Sequence, residues 1–328
     1  MWIILIRKKD FRASLAWWGM ELAVHQTVLN LQRTVSSILE WKGLGLHSGR
    51  EVTLRILPSA PHTGIRFVRT DLAGAPEVPA LVDFVVNTRM ATTLGRGEAL
   101  VSTVEHLLCA LFGMGIDNAR IELNAPEVPI SDGSSWEFYR ALREIGTQLQ
   151  PAPRKVWRLR RKVEVKLGDK WGSAEPSFGL DVSASVEFDH SAIGHQSFRY
   201  VEGQTAFEEF GPARTFGFLR EVEALKKMGL ARGGSLDNAV VLDDSGVLNP
   251  GGLRFENEFA RHKVLDALGD FALGGHPIRA RIRLHRSGHD LHRELLQAIL
   301  AASDLVEVEQ QARGSRKSAS PRVRIAAI

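Results

Sequence analysis

Two spacings of apolar residues alternate along this chain. In "EVTLRILP" and "GIRFVRTDL" hydrophobic residues recur at every second position, which predicts strands, and "NARIELNAPEVPI" predicts another, closed by its prolines. Within "STVEHLLCALFGMG" the period changes: Val104, Leu107, Leu108, Leu111 and Phe112 share one helical face, and Gly113 stands near the stop. A second helix is predicted in "SWEFYRALREIG", after the turn "SDGS". The two prolines of "QPAPRK" then interrupt the chain and mark a linker. Beyond it the order repeats. "KVEVKLGDKWGSAEP" and "FGLDVSASVEF" predict strands, "EVEALKKMGL" and "FARHKVLDALGD" helices, "IRARIRLHRSG" a further strand, and "DLHRELLQAILAA" a closing helix.

Each half thus has short strands and about two helices, without the regular alternation of a doubly wound sheet, so the expected fold class is α+β with two domains. A length of 328 residues agrees with two cores. The expected divisions are 30–150 and 155–312 for the domains and 151–154 for the linker. Residues 313–328 have little apolar periodicity and are expected to be a flexible tail.

Composition narrows the function. At 44% hydrophobic and 24% charged this is an ordinary globular chain. Lys+Arg 42 against Asp+Glu 38 leaves +4, with basic stretches in "APRKVWRLRRK" and "RGSRKSASPRVR". That balance tolerates an anionic substrate and does not point to nucleic acid. Cys109 is the only cysteine, which excludes an intrachain disulfide or a cysteine-based zinc site and fits a reducing, cytoplasmic setting. The apolar runs "WIILI" and "LAWWGMELAV" are too short or too interrupted to span a bilayer, and the start lacks the pattern of a signal peptide.

The helix in "FARHKVLDALGD" has two organised faces. His262, Asp266 and Asp270 recur every four residues over an arc of about 80°, nearly opposite Val264, Leu265, Leu268 and Phe271. One reading is a solvated face; the other is that His262 and Asp266 point together at one metal ion. Glu105 and His106 lie off the apolar face of their helix. Ser102 and Glu105 also fit a capping box, and His106 a helix surface. Taken together, His106, His262 and Asp266 make the two-imidazole, one-carboxylate set of a catalytic zinc site, with Glu105 as general base for a bound water. His289 sits in a turn before the last helix, with Asp290 available as N-cap. A protonated His289 supported by Asp270 is the acid that a leaving amine needs.

"STVEHL", "NAPEVPISDGS", "ARTFGF", "GGSLDNAVVLDD", "LRFENEFARHKVLDALGD" and "RSGHDLHRELLQAIL" resemble, in order and spacing, the UDP-3-O-acyl-N-acetylglucosamine deacetylases, over about residues 30 to 305. The resemblance implies the committed step of lipid A synthesis in Gram-negative bacteria. It implies two similar domains, each with two helices on a small, mostly antiparallel sheet, and an active site between them beside a passage for the acyl chain. It places zinc on His106, His262 and Asp266, the general base on Glu105 and the catalytic histidine on His289, oriented by Asp270. Thr215 matches a threonine that stabilises the oxyanion, and Lys263 a lysine near the diphosphate. His47 in "GLGLHSG" matches a histidine near the cleft, or is a turn residue; Phe188 stacks on uracil, or is a core aromatic. Arg286 stands where relatives carry lysine, and its fork has a different geometry. Family chains begin near "QTVLNLQRTV", so 1–29 reads as an N-terminal extension, with Met20 an alternative start.

The two-histidine, one-aspartate set also suits Fe(II). A monomer needs no added assumption. Two other readings stay open: a different zinc amidohydrolase such as a peptidase, and a noncatalytic module engaging RNA through "RKVWRLRRK", which lacks interleaved aromatics.

Overall fold

Alternation in "EVTLRILP" becomes the strand Glu51–Pro58, with Val52, Leu54 and Ile56 buried on one face. It belongs to a five-stranded sheet whose spatial order is Leu39–Leu44, Glu51–Pro58, Ala119–Leu123, Ile65–Arg69 and Glu77–Pro79. The late strand Ala119–Leu123 lies between two earlier ones, antiparallel to Glu51–Pro58 and parallel to Ile65–Arg69. The second half repeats this arrangement. Ile278–His285 enters between Lys170–Pro176, to which it is antiparallel, and Asp181–Glu187, to which it is parallel. Val163–Leu167 and His195–Val201 flank that trio, and Lys155–Leu159 and Ser303–Glu307 extend the sheet. The structure, a computed structural model, describes residues 30–308; the expected N-terminal extension and the tail from 313 lie outside the described residues.

The α+β expectation of a mostly antiparallel sheet and about two helices in each half agrees with this architecture. Helix α1 (Glu105–Gly113) precedes the inserted strand of the first half and α2 (Trp136–Ile145) follows it. An additional helix, α3 (Leu219–Lys227), crosses between the parallel strands Phe216–Phe218 and Val240–Asp243 and buries none of its residues. In the second half α4 (Glu258–Phe271) precedes the inserted strand and α5 (His289–Ala301) follows it. One hydrophobic core runs through Leu107, Leu108 and Leu111 of α1, Val264, Leu265 and Leu268 of α4, and Leu295, Leu296 and Ile299 of α5. Residues Leu31–Glu307 accordingly form one compact unit.

Three local expectations are corrected. Most of the stretch expected as a linker is strand: Thr147–Pro153 pairs antiparallel with Leu31–Val35. This is a two-stranded ribbon, in which each strand uses only one edge, so proline is tolerated on the other. The capping box does not form. The N-cap of α1 is Val104, and Glu105 instead accepts the Thr92 N–H, because Thr103 at φ +57° turns the chain away just before the helix. The N-cap of α5 is Gly288, while Asp290 lies within the first turn and pairs with Lys170.

Candidate active site

Helix α4 buries twelve of its fourteen residues, so its polar row is not a solvated face. The row starts one turn earlier than the sequence reading placed it, at Glu258, and continues through His262, Asp266 and Asp270. Its cover is α1. At Gly269 the two helices touch backbone to backbone: a Cβ there would lie 2.0 Å from the Glu105 carbonyl oxygen. This crossing sets His106 of α1 against His262 and Asp266 of α4.

His106 Nε2 is 3.5 Å and His262 Nε2 3.3 Å from the same oxygen, Asp266 Oδ1. All three side chains are buried. His262 Nδ1 lies 3.1 Å from the Ala213 carbonyl, which can only accept, so Nδ1 carries the hydrogen. Burial pushes the His262 pKa down to about 3 although Asp266 pulls the other way, so near neutral pH its Nε2 presents a bare lone pair. Burial also opposes charge on Asp266, but the Lys263 ammonium and the hydrogen bond from His106 help hold the carboxyl well below the usual range. A lone pair and a carboxylate oxygen 3.3 Å apart repel unless a cation lies between them. Lys263 does not fill that role, since its Nζ serves the other oxygen, Oδ2, at 3.0 Å. The donor set fits a divalent metal with an open position for water.

A second constellation adjoins the first through Glu105. Asp270 Oδ1 accepts the Thr92 hydroxyl at 2.6 Å, and its Oδ2 accepts Nδ1–H of His289 at 2.7 Å and of His292 at 2.8 Å. Burial opposes the charge on Asp270, yet the two histidines hold it down to about 2. Burial likewise opposes protonation of His289, and Asp270 and Glu105 outweigh it, raising it to about 10. His289 Nε2 faces Glu105 Oε1 at 3.8 Å. Burial pushes Glu105 up, with His289 and His106 opposing. A carboxylate made more basic and an imidazolium held protonated therefore stand beside the candidate metal ligands.

The remaining sequence candidates fall in different places. Thr215 follows Ala213, the partner of His262, and its N–H donates to Gly133. His47 is buried, and Glu127 holds its loop by accepting the His47 and Ser48 N–H groups. The His47 Nε2 has no hydrogen-bond partner among the described residues, and burial lowers the ring's pKa against the pull of Glu127. Phe188 packs with Phe216 and Phe218 in a small satellite core. Arg286 pairs with Asp169 at the surface, 2.9 Å away.

Sequence reasoning missed four supporting residues. Thr92 carried no local signal, because its partners are distant in sequence. His292 did, standing three residues after His289 on the same helical face. Buried Glu258 binds both the side chain and the backbone N–H of Arg214, fixing the segment that bears Ala213 and Thr215. Its place at the head of the four-residue row was the overlooked clue.

Residues 32–301 match the family model described as UDP-3-O-acyl N-acetylglycosamine deacetylase. The chain belongs to that family. Among curated relatives, the UDP-3-O-acyl-N-acetylglucosamine deacetylase of Myxococcus xanthus is 49% identical over 278 residues, 84% of this chain and 88% of that protein. Proteins of the same name from Citrifermentans bemidjiense and a Shewanella species are each 46% identical, over 86% of this chain and 93% and 94% of their own lengths. Among the described residues no helix is long and apolar enough to cross a membrane.

Proposed function

We propose that this member of the deacetylase family hydrolyses the N-acetyl group of UDP-3-O-acyl-N-acetylglucosamine to a free amine and acetate, in the lipid A pathway, with zinc on His106, His262 and Asp266. The observation that carries the reading is the buried convergence of His106, His262 and Asp266, whose ligand atoms all lie within 4.8 Å of one another. When bound, zinc makes water more acidic and polarises the acetamide carbonyl.

The chain's own groups do the rest. Glu105, made more basic by burial, takes the proton from the attacking water. His289, kept protonated by Asp270 and Glu105, gives a proton to the departing amine nitrogen. Thr215, on the segment fixed by Glu258, donates to the oxyanion, the kind of contact worth about 3 kcal/mol. Lys263, beside Asp266 and over the Phe216 ring, adds positive charge toward the diphosphate. His47 and Phe188 line the substrate cleft in this reading. The lone cysteine, buried Cys109, supports a cytoplasmic setting.

The test is acetate release from UDP-3-O-acyl-N-acetylglucosamine by purified protein as isolated, after chelation, and after zinc or Fe(II) is restored. Activity that vanishes and returns supports the assignment, and the restoring ion identifies the metal. Glu105→Gln should keep the metal yet lose about 10²–10⁴-fold in kcat. An inactive, folded, zinc-loaded protein rejects this substrate.

A further inference from the structure

Helix α5 carries a second histidine one turn beyond His289. His292 is fully buried, and both ring nitrogens are engaged: Nδ1 is 2.8 Å from Asp270 Oδ2 and Nε2 is 2.9 Å from Ser287 Oγ. Its backbone N–H donates to the Gly288 carbonyl at 3.0 Å. Ser287 and Gly288 form the turn into α5, directly after Arg286, whose φ of +50° is sparsely populated for a residue with a Cβ. His292 therefore touches both supports of His289: the carboxylate that faces its ring and the backbone from which it hangs.

An ionised carboxylate can only accept, so His292 Nδ1 is the donor to Asp270. With Thr92 on Oδ1 and His289 alone on Oδ2, the carboxylate could swing about its broad terminal torsion. A third donor fixed at its far end by Ser287 removes that freedom. It also draws charge from the oxygen that holds the His289 proton.

We propose that His292 is a positioning residue of the deacetylation, bridging Asp270 to the Ser287 turn and so fixing the direction and tempering the basicity of His289. The proposal rests on His289 being the group that protonates the amine, as argued above.

Zinc-loaded His292→Leu, His292→Asn and Ser287→Ala are compared with the unaltered enzyme and with His289→Gln. The readouts are kcat and KM for acetate release across pH, thermal unfolding and metal content. His292→Leu is expected to lower kcat about 10–100-fold, as loss of an outer-shell partner does, with KM little changed. Its alkaline limb should move to higher pH, because Asp270 then serves His289 without a competing imidazole. Asp270, Glu105 and Asp266 face His289 as anions, and His47 lies within electrostatic reach of it. His292→Asn, which restores an N–H toward Asp270, should recover most of the rate, and Ser287→Ala should lose about threefold, the worth of one neutral hydrogen bond.

Unchanged kcat in His292→Leu beside an inactive His289→Gln overturns this proposal and leaves the role of His289 standing. Full activity in His289→Gln overturns that role, and this proposal with it. A drop in kcat that Asn does not recover, with the alkaline limb in place, assigns His292 to core packing and also overturns the proposal.

Discussion

Thr92 donates its hydroxyl to Asp270 at 2.6 Å across 178 residues of chain, and donates its backbone N–H to Glu105. One residue thereby spaces the carboxylate that holds His289 from the carboxylate beside the proposed metal ligands.

Asp270→Asn removes the main anion that holds the His289 proton. The histidine stands at about 10 instead of its ordinary 6.5 chiefly because Asp270 and Glu105 outweigh burial. Its acid form should then be lost at lower pH, moving the alkaline limb of kcat/KM down by about 1–3 units. A pH–rate profile of the variant checks this; an unmoved limb would mean that His289 does not set it.

The same pair links pH to stability. A histidine raised from 6.5 to about 10 on folding stabilises the protein fully below 6.5, and that contribution is lost as pH climbs toward 10. In chelated protein the urea midpoint should therefore fall over this range more steeply than in chelated His289→Gln. Parallel midpoints for the two proteins would contradict it.

Gly269→Ala places a methyl group 2.0 Å from the Glu105 carbonyl oxygen, and neither helix backbone can yield at the crossing without separating α1 from α4. The expected cost is about 1–3 kcal/mol, the range for overpacking, together with loss of bound metal. Calorimetry with metal analysis decides; wild-type melting at full occupancy would show that the helices can part without harm.

Arg214 and Glu258 form a buried ion pair at 2.8 Å. Arg214→Met strands the carboxylate and should destabilise by about 3–5 kcal/mol. The double variant with Glu258→Leu should regain much of that stability but not the rate, since the segment carrying Thr215 is no longer tied to α4. Chemical denaturation and kcat measured on both proteins separate the two effects.

Much of the site was legible because its donors repeat with the helix. His262, Asp266 and Asp270 share one row, and Glu105 and His106 lie off the apolar face of α1. What the row could not show was its surroundings: a polar stripe opposite an apolar one reads the same whether it meets water or another helix. Only Gly269, whose missing side chain admits α1, hinted at the second case. Strands such as Ala119–Leu123 were readable from alternation, but its insertion between Glu51–Pro58 and Ile65–Arg69 is a long-range pairing with no local trace. The two-proline stretch misled because an edge strand tolerates what a central one cannot.

The proposed metal donors are divided unequally between the halves, His106 from the first and His262 with Asp266 from the second. Free energy gained by an ion on binding them is thus also cohesion across the seam: about 4 kcal/mol when its concentration is a thousand times its Kd. With that assignment the ion is a clasp as well as a reagent. A cell starved of it would hold a looser protein, one whose halves come apart under milder stress, as well as an idle enzyme.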